Sequence, residues 1–316
     1  MNMSGKKKPV KKNSKKKERV GPPVDPRALE KTLSDIGRHI REKEFSSPEE
    51  ANVFLKSLLR SGQVKGAPPL TPLEEAQDVM YSAWDSSGPA RVRLARKALK
   101  ISPDCADAYV LLAEETTDDL IEKLALYEKG VLAGERALGP KMFEEERGHF
   151  WGITETRPYM RARLGLAECL WWLERDEEAI GHYQEMLHLN SNDNQGVRYL
   201  LIHCLLEHGD HENAAKLLKQ FEEDNTAVWL YSRAILIYRR GGSSTAATDS
   251  WLAALANNPY VSTYLLGKKR LPRRLTGYIH LGEESEAIAY AVDAMPIWLE
   301  TIGALAWLQK TVSSRN

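Results

Sequence analysis

The sequence is poor in cysteine. Only Cys105, Cys169 and Cys204 occur in 316 residues. Their number is odd, their spacing is wide, and each falls in an apolar helical stretch. That excludes a disulfide framework and points to reduced thiols. No run of about 18 apolar residues is present, the length a spanning helix needs, so no membrane span is expected. The charged start is followed by no apolar segment, which does not read as a secretory signal; a cytoplasmic setting is the expectation. There is no Gly-rich phosphate loop, no G-x-S-x-G and no H-E-x-x-H. No catalytic constellation, cofactor or small-molecule substrate is therefore expected, and Glu-Glu pairs on helices read as solvated faces.

What is present is ordinary globular material, 42% hydrophobic and 28% charged. The formal net charge of zero hides an asymmetry. Residues 1–19 carry +8, which leaves −8 on the rest of the chain. Residues 1–24 are low-complexity, with Lys6, Lys7, Lys8, Lys11, Lys12, Lys15, Lys16 and Lys17 among Pro and Gly. Such a segment has too little to bury to offset its ordering entropy, so a disordered basic tail is expected.

Residues 25–66 read as a helical pair. Leu29, Leu33, Ile36 and Ile40 recur at helical spacing behind Asp25 and Pro26 at the N-cap and first-turn positions. A second helix opens at the capping box Ser47-Pro48-Glu49-Glu50 and runs to Gly62. Breakers at Gly66, Pro68, Pro69 and Pro72 end the pair. From 67 to 316 the chain is helical nearly throughout, with turn signals about every 15–20 residues.

A repeat organises that region. Residues 161–193 give one helix with Leu166, Ala167 and Leu170, a polar turn, then a second helix with Ala179, Tyr183, Met186 and Leu187. The pattern returns with Leu201, Leu205, Gly209, Ala214 and Leu218, and again with Ala234, Tyr238, Gly242, Ala247 and Trp251. Ala98 and Pro103 stand in an earlier unit where Ala254 and Pro259 stand in a later one. A further pair around Ala287 and then Trp298 to Leu308 reads as the end of the array. Small residues let paired helices approach closely; large ones fill the neighbour's groove.

These units resemble tetratricopeptide repeats over roughly residues 75–310. The matched alanines Ala179, Ala214 and Ala247 lie 35 and 33 residues apart, against a repeat of about 34. The usual first-helix tryptophan is replaced by Arg163 and Tyr231. The string RPYMRARLGLAECLWWLERDEEAIGHYQEMLHLNSNDNQGVRYLL is also similar to bacterial repeat proteins distantly related to the suppressor-of-tumorigenicity protein, which implies no activity. The resemblance implies an all-α, right-handed α-solenoid of antiparallel helix pairs. Its groove would be lined by Arg161, Leu164, Glu168, Trp171 and Trp172, then Gly196, Tyr199, His203, Leu206 and Glu207, then Trp229, Ser232, Leu236, Arg239 and Arg240. It also implies a Lys and an Asn where a carboxylate clamp is built. Leu164/Glu168 and Tyr199/His203 stand there instead, which argues against a clamp.

Trp, Tyr and Arg dominate binding hot spots. The lining therefore reads as a partner-binding wall with at least two of Trp171, Trp172, Tyr199 and Trp229 open; the alternative for each is packing on a neighbouring helix. Residues 148–163 interrupt the repeat with His149, Phe150, Trp151, Glu155, Arg157 and Tyr159, either a functional loop or a plug between repeats. The cluster His203, Cys204, His208, Asp210 and His211 spreads over groove, edge and turn, a poor fit to zinc. The leading reading is an adaptor whose groove holds a partner protein segment. A nucleic-acid- or ribosome-associated factor, through the Lys tail and Lys268, Lys269, Arg270, Arg273 and Arg274, is the alternative. A hydrolase built on His149, Glu155 and Arg157 is the weakest.

Overall fold

Local chemistry sets where each helix begins and ends. The computed structural model describes residues 26–62, 68–273 and 277–313; the Lys-rich tail, Asp25 and Arg274 lie outside them. Helices α1 (Pro26–Arg41) and α2 (Pro48–Ser61) form the N-terminal pair. The Ser47 hydroxyl caps α2 by accepting from the Glu50 backbone N–H, and Gly62 closes it in the left-handed region. There follow α3 (Pro72–Trp84) with α4 (Pro89–Ile101), α5 (Ala106–Thr116) with α6 (Leu120–Glu145), and α7 (Arg157–Trp172) with α8 (Asp176–Leu189). Next come α9 (Val197–His208) with α10 (His211–Gln220) and α11 (Ala227–Gly241) with α12 (Thr245–Asn257). The chain ends with α13 (Tyr260–Leu265), α14 (Glu284–Glu300) and α15 (Ala304–Ser313). No strand occurs among the described residues.

This is an all-α stack of helix pairs with a repeat-like core. Ala179, Ala214 and Ala247 each lie in the first turn of a second helix, and all are fully buried. Large side chains fill the space these alanines leave: Tyr183, Trp229, Trp251 and Trp298 are each at most 2% exposed. One continuous apolar cluster runs from Val110 to Leu308, and a smaller one joins α3, α4 and α5. The first helices of the pairs touch in two runs, α3–α5–α7 and α9–α11, and these form the wall where the candidate site lies.

Three points differ from the sequence reading. Helix α6 continues past Gly139, whose φ of 67° and ψ of 163° kink it, because Pro140 supplies no N–H and restarts the helix. Ala287 and Trp298 belong to one helix, α14, which lies across α9, α11 and α13 instead of extending the array. Helix α1 turns its charges inward. Leu29 is 62% exposed, whereas Glu30, Asp35 and Arg38 are at most 3% exposed. Its apolar spacing therefore did not mark a core face.

The contact of α6 with α7 is the closest in the fold. A methyl group on Gly165 would meet the Tyr127 ring at 2.2 Å, and one on Gly134 would meet Tyr159 Cβ at 2.8 Å. Gly165→Ala is expected to lose about 1–3 kcal/mol in urea unfolding through overpacking, although alanine is the better helix former by about 1 kcal/mol. Gly181→Ala, with no atom near the added methyl, is the control and gains stability. Equal behaviour of the two variants would contradict this packing.

Candidate functional site

The wall of first helices is covered at both ends by helices of the same chain, and the two covers differ in chemistry. Over α3, α5 and α7 lies α1. The Arg161 guanidinium donates to both oxygens of Asp107, Nε to Oδ1 at 2.8 Å and Nη2 to Oδ2 at 2.7 Å. Its Nη1 reaches the Glu30 carboxylate of α1 at 2.9 and 3.0 Å. Gln77 also donates to Asp107, at 2.7 Å. Arg157 approaches Glu30 at 3.4 Å. Farther along α1, Arg38 donates to both oxygens of Asp78 at 2.8 and 2.9 Å, and Arg41 bridges Glu74 and Glu155 at 2.6 and 2.8 Å. The rings of this seat are also taken: Arg27 and Arg161 lie 4.6 and 5.4 Å from the Trp84 centroid. Burial opposes the Arg161 charge, but Asp107 and Glu30 outweigh it and raise its pKa.

Over α9, α11 and α13 lies α14, and here the contact is apolar. Ala287, Tyr290, Ala291, Ala294, Ile297 and Trp298 are each at most 1% exposed. Trp298 Nε1 donates to the Tyr290 hydroxyl at 2.8 Å, and Tyr290 packs on Tyr231 at 5.4 Å and on His203 at 6.1 Å. Arg239 closes the far end by donating to the carbonyls of Leu206 and Ile297 and to the Thr301 hydroxyl. These are last-turn carbonyls of α9 and α14, where a cation suits the helix dipole. Glu286 accepts from the Ala227 N–H at 2.8 Å and from Asn258 at 2.9 Å, which pins the start of α14 to the start of α11.

The residues singled out from sequence thus fall into three groups. Trp229 is fully buried, Tyr199 is half-buried, and His203, its Nε2 buried beside Tyr290, is pushed down by desolvation to about 4. Tyr199 and Arg198 share the Asp224 carboxylate at 2.8 and 2.9 Å, on the rim of a cleft of about 870 Å³. At least two of Trp171, Trp172, Tyr199 and Trp229 were expected open; Trp172 is exposed, Trp171 and Tyr199 are half-buried and Trp229 is fully buried. Trp229 meets Tyr199 and Phe221 edge-on, so these rings fill one another's space instead of facing solvent.

Residues 148–163 pack as a plug. Phe150 and Tyr159 are buried with Phe143, and Arg157 lies 5.3 Å from the half-buried Trp151 while donating to its carbonyl. Glu155 and Arg157 are both engaged by α1, on different partners, and His149 stays exposed, so the three do not converge as a catalytic group. Arg240 donates to the His211 carbonyl at 2.5 Å at the outer turn. No group of three or more His, Cys, Asp or Glu able to hold a metal occurs among the described residues.

What stays open is the C-terminal half of α7. Trp172 is 72% exposed beside half-buried Trp171. Glu168 and, on α5, Glu114 are exposed side chains whose carboxyl groups lie low against the wall. Desolvation raises both carboxyl pKa values, and for Glu168 the charge of Glu114 adds to it. Glu207 is raised likewise, by desolvation and then by Glu300, Asp176 and Asp293. Glu30, Gln77, Trp84 and Asp107 were not singled out from sequence. The available signal was the charge at every turn of α1, with Lys31, Asp35 and Arg38 at three- and four-residue spacing.

Fold and site together define a helical-repeat protein whose first-helix wall is partly occupied by its own helices. The chain belongs to the ST7 protein family, which matches residues 71–315. The human suppressor of tumorigenicity 7 protein-like is 29% identical, with 76% of this chain and 45% of the relative covered. The Drosophila melanogaster protein ST7 homolog is 26% identical, with 75% and 49% covered. The suppressor of tumorigenicity 7 protein of Macaca fascicularis is 26% identical, with 76% and 53% covered. The chain thus spans about half the length of the curated relatives it matches. Helices α1 and α2 precede the family-matched segment.

The recessed carboxylates give a pH signature. Their folded pKa values stand above those of the unfolded chain, so in that window the folded state binds more protons and stability falls as pH rises. Glu168→Gln is expected to raise Tm at pH 7.5, with the gap closing as pH approaches the ordinary carboxylate value of 4.5. Thermal melts across pH check this, and a gap independent of pH would contradict it.

Proposed function

We propose that this protein is an adaptor in which the uncovered part of the first-helix wall holds a segment of a partner protein, within a tetratricopeptide-like array. The observation that carries this reading is Trp172. Among eight tryptophans it alone is exposed, at 72%, and it stands one turn from Glu168, whose carboxylate lies near that of Glu114. An exposed indole beside negative charge suits a partner segment that brings a cationic side chain and an apolar anchor, because indole faces attract cations and aromatic residues anchor interfaces. The family match supports an interaction role in general terms. Three free, buried cysteines suit a reducing, cytoplasmic setting. Among the described residues no single helix is long and apolar enough to cross a membrane. Helices α14 and α15 together have the length and composition of a broken span, but they turn by 113° and bury Tyr290, Ile297, Trp298 and Leu308 on the stack, leaving Val292 and Leu299 exposed.

A second reading, a nucleic-acid- or ribosome-associated factor, is favoured by exposed Lys268, Arg270 and Arg273 on the loop after α13, in line with the Lys-rich tail. Such a contact would weaken steeply with salt.

One experiment separates the two. The tagged full chain is purified from its source cells as wild type and as Trp172→Ala, with and without nuclease, and co-purifying proteins are quantified. The adaptor reading predicts a partner recovered with nuclease present and reduced at least ten-fold by Trp172→Ala, with Tm unchanged because the side chain is exposed. Recovery that is insensitive to Trp172 contradicts it. Recovery lost only on nuclease treatment supports the second reading.

A further inference from the structure

Helix α1 sits on the family-matched body as a ligand would. Its seat is made wholly by residues of that body: Trp84 and Asp78 on α3, Asp107 on α5, Arg157 and Arg161 on α7. The helix itself lies before residue 71, where the family match begins. The seat reads charge. Glu30 fits between Arg157 and Arg161, and Arg38, two turns or about 12 Å along, fits the Asp78 carboxylate.

The balance of forces differs from that under α14. Among the described side chains of α1 no apolar one is fully buried: Ile36 and Ile40 are half-buried, and Leu29 and Leu33 face outward at 62% and 36% exposure. Buried ion pairs return little net stability after their desolvation cost, yet they discriminate strongly between partners, because a wrong side chain leaves a buried charge unmatched. Burial of six residues on α14, by contrast, contributes through apolar area. Helix α1 is therefore specified by charge but weakly held, and it occupies its seat largely because it is on the same chain, at high effective concentration.

We infer that the α3–α5–α7 wall is a charge-reading seat for a helix, filled in this chain by α1, and that a partner helix carrying a carboxylate and, two turns on, a guanidinium takes the seat by displacing α1. This rests on the adaptor reading and adds a second, differently charged site beside Trp172. Because Arg27, in the first turn of α1, lies over Trp84 at the end of α3, release of α1 also bares that ring. The apparent affinity for such a partner is reduced by the fraction of chains whose seat is filled.

The test uses the full chain. In the double variant Glu30→Lys/Arg38→Glu the α1 charges oppose the seat, while every seat residue is kept. The probe is a fluorescein-labelled synthetic peptide of residues 25–45, followed by anisotropy. The peptide is expected to bind the double variant at least ten-fold more tightly than wild type. The same peptide with both charges reversed should not bind, and adding Arg161→Glu to the variant should abolish binding of the unreversed peptide. A melting transition near that of wild type is expected for the double variant. Peptide binding that is equal for both chains or absent from both overturns the inference, as does loss of the main transition, which would make α1 an integral part of the core. The seat and the Trp172 strip fail separately: peptide exchange with Trp172-insensitive recovery keeps the seat and removes the strip.

Discussion

A helix pair cannot bury both of its faces alone, and every other feature of this molecule follows from how that constraint is met. Along the stack it is met by neighbours. Ala179, Ala214 and Ala247 vanish beneath facing helices, and Tyr183 and Trp251 enter the adjoining pair. The tight α6–α7 contact extends the same solution, with Gly134 and Gly165 making room for Tyr159 and Tyr127. Across the stack no neighbour exists, so the faces of the first helices need another cover. Helix α14 supplies it over α9 and α11, and α1 supplies it over α3, α5 and α7.

The two covers are physically opposite. The Tyr290–Trp298 surface of α14 resembles the interior of any domain, and Arg239 and Glu286 close its ends with hydrogen bonds. The surface under α1 is a ladder of ions in which Arg161 joins Asp107 to Glu30. Apolar burial is tolerant of sequence and favourable in sum; an ion ladder is demanding of sequence and nearly neutral in sum. One arrangement builds a fold, and in our proposal the other selects its occupant. This contrast, and the open strip at Trp172, is why we propose the first-helix wall as the part of the molecule that meets a partner.

Much of the stack was legible in the sequence because its determinants are local or periodic. The small residues at equivalent places, the capping Ser47 and the left-handed Gly62 all carry their own signal, whereas for residues 148–163 a functional loop and a plug were equally open. The covers were not legible. Trp229 and His203 match the positions that line a groove in tetratricopeptide arrays, yet Trp229 is buried against Tyr199 and Phe221, and nothing near His203 announces that Tyr290 of α14 returns to lie on it. Helix α1 misled in the other direction: Leu29, Leu33, Ile36 and Ile40 make a sound amphipathic stripe, yet its charged side had the better partners. Arg161 and Asp107 are 54 residues apart and Arg161 and Glu30 are 131 apart. Pairings of that range are fixed only when the whole stack has formed.

Native-state hydrogen exchange of the wild-type chain tests the contrast most directly, because it reads the opening free energy of each helix separately. If α14 is core and α1 is a charge-held occupant, amides of α14 exchange only through global unfolding. Those of residues 30–41 then exchange at least a hundred-fold faster, and faster still in high salt. Equal protection of the two helices, unmoved by salt, would contradict the account.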